Sequence, residues 1–214
     1  YFDVLITYAK QNEDDIFIKI DITNRFNKAA ELHVLPTLWF YNRWANKQMK
    51  QQPSITSLSK TSVKASHESI GNYYFYFQQA DDALFTDNET NTQVVTGVPN
   101  ENIFVKDAFH RAVINKENVD LLRKRKYGTK FSPVYKLKIS GGDTKTIYCR
   151  LSNQLMDNAF VRGFKDVFMI RKKEADDYYA AILPRGMNDD MAKIQRQALA
   201  GLLWSKQYYH FDVE

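Results

Sequence analysis

Absences narrow this sequence before any positive feature does. There is one cysteine, Cys149, so no internal disulfide framework is available, and a reducing compartment such as the cytoplasm fits that economy. No run reaches the roughly 20 apolar residues of a membrane-spanning helix. The opening Tyr1-Phe2-Asp3-Val4-Leu5 has neither an initiator methionine nor a basic leader, and the expectation is that the natural N-terminus lies upstream. His33, His67, His110 and His210 are widely spaced and show no paired metal-ligand pattern. The 8 glycines form no phosphate-binding or dinucleotide loop, and no nucleophile elbow occurs. No metal, cofactor or nucleotide is therefore expected.

What the sequence has in quantity is aromatic side chains: 13 Tyr, 14 Phe and 3 Trp in 214 residues. Such residues suit half-buried pleated surfaces, and they also make stacking platforms for sugars. Composition alone favours the core role. The net charge of +5 is dispersed, and its densest run, Arg123-Lys124-Arg125-Lys126, has no nucleic-acid motif beside it and reads as a solvated surface. Neither nucleic acid nor a membrane is an expected partner.

Periodicity predicts mainly β structure. Ile16, Ile18, Ile20 and Ile22 alternate with Phe17, Lys19, Asp21 and Thr23, which predicts a strand with one buried face. Phe2 to Tyr8 alternates similarly, and the polar Gln11 to Asp14 between them predicts a hairpin. Glu31 to Asn42 reads as extended, with Pro36 at an edge or bulge because proline cannot donate to a ladder. Lys47 to Ser62 reads as a surface loop. Further strands are predicted at Asn72 to Gln79, Gln93 to Thr96, Ile103 to Lys106, Val134 to Ser140 and Lys145 to Leu151. The last two flank Gly141-Gly142-Asp143, a tight-hairpin signal.

Near Glu174 the pattern changes. Glu174 to Tyr179 reads as a short helical turn, and Asn188-Asp189-Asp190 supplies cap and first-turn acids to a longer helix. Met191, Ile194, Ala198 and Leu202 recur at helical spacing, while Leu199, Leu203 and Trp204 make the later turns apolar nearly all round. A helix of that kind is expected to pack against other helices.

Three segments are candidates for chemistry. Phe85 to Asn91 gathers acids, amides and hydroxyls after an aromatic strand; it suits a hydrogen-bonded loop or a ligand rim, and Asn88-Glu89-Thr90 is a glycosylation sequon if the protein is secreted. Lys106 to His110 brings a cation, an acid and an imidazole together without a neighbouring nucleophile, which points to a buried polar bridge. Trp204 to Phe211 mixes rings with long donors at a helix end, equally consistent with packing and with a sugar cleft.

Several of these segments together resemble bacterial proteins of glycoside hydrolase family sixty-three, the processing α-glucosidases that include mannosyl-oligosaccharide glucosidase. The segments are Tyr1 to Val4, Leu32 to Phe40, Phe85 to Asn91, Val105 to His110, Gly128 to Lys130, Glu174 to Asp176 and Arg196 to Gln207, in that order. The resemblance implies a β-sandwich of supersandwich type, residues 1–172, then a helical connection and the first long helix of an (α/α)6 barrel, residues 173–214. It also implies inverting hydrolysis of α-glucosidic bonds by two carboxylates about 6.5–9.5 Å apart. In the family both belong to the barrel downstream, so no catalytic residue is expected in this stretch, Asp87 and Asp107 included. The expected role is scaffolding for the barrel, with Trp204, Lys206, Gln207, Tyr208, Trp39 and Trp44 near the sugar and an oligosaccharide or glucoside as the partner of the parent enzyme. Two departures are visible: Tyr41 stands where relatives usually carry Arg, and Trp44-Ala45-Asn46 replaces Trp-Ser-Trp. The alternative is a free-standing carbohydrate-binding sandwich whose exposed Trp39 and Trp44 stack on sugars without cleaving them.

Overall fold

The computed structural model describes residues 1–44, 51–161 and 163–205. It is mainly β, with two antiparallel sheets and a C-terminal helical segment. The chain divides into two compact units, the first ending at Phe164 and the second beginning at Lys165.

The first unit opens with the expected hairpin, β1 (Phe2–Asn12) against β2 (Asp15–Asn24). Beyond β2 the larger sheet continues through β11 (Thr144–Ser152), β7 (Gly71–Phe77), β6 (Ser62–His67), β5 (Ser54–Ser59) and the short β9 (Tyr127–Gly128). The smaller sheet is built on β10 (Lys130–Ile139), flanked by β3 (Ala30–Val34), β4 (Leu38–Trp39) and β8 (Asp82–Thr86). One apolar cluster joins the sheets: Ile22, Ile55, Phe77 and Cys149 come from the larger, Phe85, Phe131, Tyr135 and Ile139 from the smaller. Sharing a core in this way makes the unit sandwich-like. Phe131 is its centre, within ring contact of Phe75, Phe77 and Phe85.

Four expectations about the β region need correction. The glycine turn at 141–142 does not close a hairpin: β10 and β11 leave it for different sheets. Its geometry is turn-like, with Gly142 at φ +80 and the Asp143 amide donating to the Ser140 carbonyl at 3.1 Å. Asn24 then holds the crossing open. Its buried side-chain amide donates to the carbonyls of Lys28 and Ile139 at 2.8 and 2.9 Å, and the Gly142 amide donates back to the Asn24 carbonyl. Alternating strands on either side of Gly-Gly are equally compatible with a hairpin and an arch.

Second, the span 47–62 is not a loop throughout, since β5 lies within it, pairs on both edges and buries Ile55 completely. Its polar Ser and Thr face outward, which lowered the apparent hydrophobicity. Third, 93–96 is not a strand: Thr92–Val95 form the helical turn α1, whose Val94 amide donates to the Asn91 side chain and whose Thr92 and Gln93 amides donate to the Asn100 side chain. Local capping overrides the β preference of two valines that no sheet covers. Nor is 103–106 a strand: it runs from a bend at Ile103 into a turn at Lys106 outside both sheets, bonded to the 87–89 loop through Asp87 N–H to Phe104 O and Lys106 N–H to Glu89 O.

Fourth, the outward face of β2 is not wholly solvated. Phe17 is buried beside Phe164 and beneath the Arg150 guanidinium. Pro36 does sit on an edge: pairing with β10 lapses around it and resumes in the same register, Val34 opposite Tyr135 and Leu38 opposite Phe131. The gap is closed by Ser132, whose hydroxyl donates to the Pro36 carbonyl at 3.0 Å.

Two helices, α2 (Ala108–Asn115) and α3 (Val119–Lys124), form a satellite cluster through Phe109, Ala112 and Leu122 with Leu84 and Val134.

The second unit contains α4 (Asp166–Ile182) and α5 (Asp189–Ser205). Glu174 to Tyr179 is thus part of a helix of 17 residues rather than an isolated turn. Lys172–Asp176 and Lys173–Asp177 pairs at helical spacing support it. As the acids and amide suggested, Asn188 begins α5, its side chain accepting from the Met191 amide at 2.9 Å. Arg196 joins the helices by pairing with Asp176 at 2.6 Å and lying over Tyr179. Met191, Ile194, Leu202 and Leu203 of α5 are exposed. No described helix is long and apolar enough to cross a membrane.

Candidate functional site

The polar run after β8 is the organising element of the site. Asp87 accepts from the Thr129 amide and pairs with Arg125 at 2.7 Å. Asn88 takes the Thr129 hydroxyl on its backbone N–H at 2.7 Å and donates its side-chain amide to the Phe40 carbonyl at 2.9 Å. The nitrogen of the sequon is therefore already engaged. Glu89 accepts the Trp44 indole N–H at 3.0 Å, and Asn91 ties to Asp107 and Asn100. Together these residues fasten the loop to segments around Phe40, Trp44, Asn100, Asp107 and Arg125 to Thr129.

Fastened this way, the β4 edge and the residues after it stand beside a cleft of about 630 Å³ lined by Thr37, Trp39, Tyr41, Asn42, Asn88, Thr90, Lys106 and Lys130. Trp39 is 53% and Tyr41 58% exposed. A second cleft, about 440 Å³, shares Thr37, Lys106 and Lys130 and adds His33, Leu35, Phe109, His110, Val113 and Ile114. Rings beside amides, hydroxyls and ammonium groups are the ingredients of a saccharide site: the apolar face of a sugar stacks on an aromatic ring while its hydroxyls find donors and acceptors.

The two lysines are held differently. Lys106 is exposed, its ammonium 3.4 Å from the Thr90 hydroxyl. Lys130 donates to the Lys106 carbonyl at 2.7 Å and lies 5.1 Å from the centre of the Phe109 ring. Burial, and then the nearby charge of Lys106, hold the Lys130 ammonium below its ordinary pKa, against an upward pull from Asp107.

The expected sugar-proximal residues separate into groups. Trp39 lines the cleft, whereas Trp44 is half-buried and committed through its indole to Glu89. Lys206, Gln207 and Tyr208 lie outside the described residues, as do Ala45 and Asn46, and of Trp204 only the helical backbone is described. Asp107 does bridge, to Asn91 at 2.9 Å and Arg111 at 3.6 Å, but His110 is exposed and belongs to the second cleft. Among the described residues no three His, Cys, Asp or Glu side chains gather as metal ligands would.

The Arg123 to Lys126 run also needs correction. Arg125 is only 9% exposed, its guanidinium lying over the Phe104 and Tyr127 rings at 4.3 and 4.9 Å while it pairs with Asp87. Sequence reasoning missed Asn42 and Lys130 as lining residues, whereas Thr90 lies in the segment read as a loop or ligand rim and Lys106 in the segment read as a polar bridge. The resemblance covered Lys130 as well, but nothing local distinguished it from a solvated lysine.

No known family profile matches the chain. It is 29% identical, over an alignment of 253 residues, to the uncharacterized protein YMR196W of the yeast Saccharomyces cerevisiae. That alignment takes in all of this chain and 23% of the yeast protein, so the chain spans less than a quarter of its relative's length.

Proposed function

We propose that this chain is the non-catalytic β portion of an α-glucosidase-like glycoside hydrolase, and that it lines part of the sugar pocket through the Trp39–Tyr41 cleft. The observation that carries the reading is the pair of half-exposed rings beside a cleft of amides, hydroxyls and ammonium groups. Among the described residues neither cleft has an Asp or Glu in its lining, whereas inverting hydrolysis requires two carboxylates facing the scissile bond. The cutting groups on this reading belong to an (α/α)6 barrel that begins with α5, whose exposed Met191, Ile194, Leu202 and Leu203 offer an apolar surface for further helices. The larger size of the yeast relative accommodates such a partner within one chain.

The exposed rings equally favour a second reading, a sugar-binding sandwich with no hydrolase attached. Assay of the purified 214-residue chain, and of the protein encoded by its complete coding region, against α-glucosides separates the possibilities. We expect turnover by the complete protein alone. Turnover by the short chain overturns the placement of the catalytic groups, and sugar binding with no turnover by either favours the second reading.

A further inference from the structure

The paired clefts carry charge of one sign. Elsewhere in the β unit several cations have carboxylate partners, Lys19 with Asp21, Arg25 with Asp3, Arg123 with Asp82 and Arg150 with Asp15. Lys106 and Lys130 have none among the described residues; one contacts a hydroxyl, the other a carbonyl and a ring face. The acids closest in sequence are engaged elsewhere, Asp107 with Asn91 and Arg111, Glu89 with the Trp44 indole. Lys106 and Lys130 line the same clefts and perturb one another, and the carboxylate felt at Lys130 is that of Asp107, already shared by Asn91 and Arg111, so an anion supplied from outside relieves the remaining repulsion.

We propose that the cleft takes a saccharide bearing an oxyanion, a phosphate or a carboxylate, with Lys106 and Lys130 meeting the anion and Trp39 and Tyr41 flanking the sugar ring. The proposal rests on the carbohydrate reading above and adds the charge of the ligand to it. Burial strengthens the contact at Lys130, because an ammonium already stripped of water gives up less hydration to its ligand. The lysines then act as a selectivity filter: a neutral sugar leaves their repulsion uncompensated, and a charged one relieves it.

Calorimetric titration of the 214-residue chain with glucose, glucose 6-phosphate, glucuronate and inorganic phosphate, each at low and high salt, tests this. Both charged sugars are expected to bind at least about tenfold more tightly than glucose, the size of one charge-assisted hydrogen bond. That margin should shrink with salt. Lys106→Gln and Lys130→Met should each weaken them by roughly tenfold. Lys106 is exposed, so Lys106→Gln serves even if the half-buried position fails to tolerate methionine. A preference for the phosphate or for the carboxylate identifies the source of the anion. Equal affinity for glucose and the charged sugars, unchanged in the lysine variants, overturns the anion assignment and leaves the carbohydrate reading standing. Inorganic phosphate binding as tightly as glucose 6-phosphate, with Trp39→Ala silent, overturns the carbohydrate reading. Absence of binding by all four ligands overturns both.

Discussion

At the scale of single residues, the strongest commitments are polar groups with no alternative partner. Arg150 grips Asp15 through two nitrogens at 2.8 and 2.6 Å, donates to the Ala159 carbonyl at 2.7 Å and covers the Phe17 ring. Removing one member of a buried pair leaves the other charge stranded, so Asp15→Ala should cost about 3–5 kcal/mol in urea unfolding. Cys149 lies wholly inside the core, and burial pushes its thiol up to about 12. It should resist a thiol reagent at neutral pH until the domain unfolds, making its modification rate a reporter of global opening. Lys130 has the opposite character. Its pKa is lower folded than unfolded, so the unfolded chain binds its proton more tightly, and stability from this group rises with pH between the two values. Lys130→Met should raise the melting temperature at neutral pH and flatten that alkaline rise while weakening anion binding; a melting temperature that falls counts against the uncompensated charge. Stability exchanged for binding is the usual mark of a functional residue.

At the scale of elements, the close approach of β9 to β8 is the least forgiving point. A Cβ on Gly128 would stand 2.2 Å from the Thr86 carbonyl oxygen, which already accepts the Thr129 amide. Gly128→Ala should therefore destabilise by roughly 1–3 kcal/mol on thermal unfolding and disturb the loop that fastens Asn88 and Thr129. Strand β2 and helix α5 were legible in the sequence because their periods repeat over many residues and their start signals are local. Strand β5 was not, because Ile55 stands among serines and threonines that dilute the apolar signal, and one of its two partners, Gly128, comes much later in the chain. The Gly141–Gly142 turn was legible as a turn, but which strands follow it into which sheet is fixed by Asn24, far away in sequence. The site shows the same division: Trp39 stood out as an aromatic in an extended run and Lys106 as the cation of a polar segment, while Lys130 becomes notable only once β10 brings it beside Lys106.

At the scale of the whole molecule, β10 crosses the smaller sheet, pairing with β8 at one end and β3 at the other, while β11 fills the larger sheet between β2 and β7. The two longest strands after the helical insertion thus complete both layers. A variant ending at Ser140 keeps every residue of the candidate clefts but lacks β11, and it should fail to give a cooperative melt and aggregate, since β2 and β7 would each present an open edge. Native-like binding by that variant would show β11 to be dispensable for the site.

The crossing at Gly141–Gly142 also sets an order on biosynthesis. Ile20 and Ile22 emerge from the ribosome long before Ile147 and Cys149, the residues that share their core. At roughly 5–20 residues per second the nascent chain spends several seconds or more with its first hairpin waiting for a neighbour. Slowing translation ahead of residue 144 lengthens that exposure, whereas chaperone capture of the opening hairpin shields it, so the yield of soluble protein depends on how quickly the ribosome delivers the strand beyond the arch.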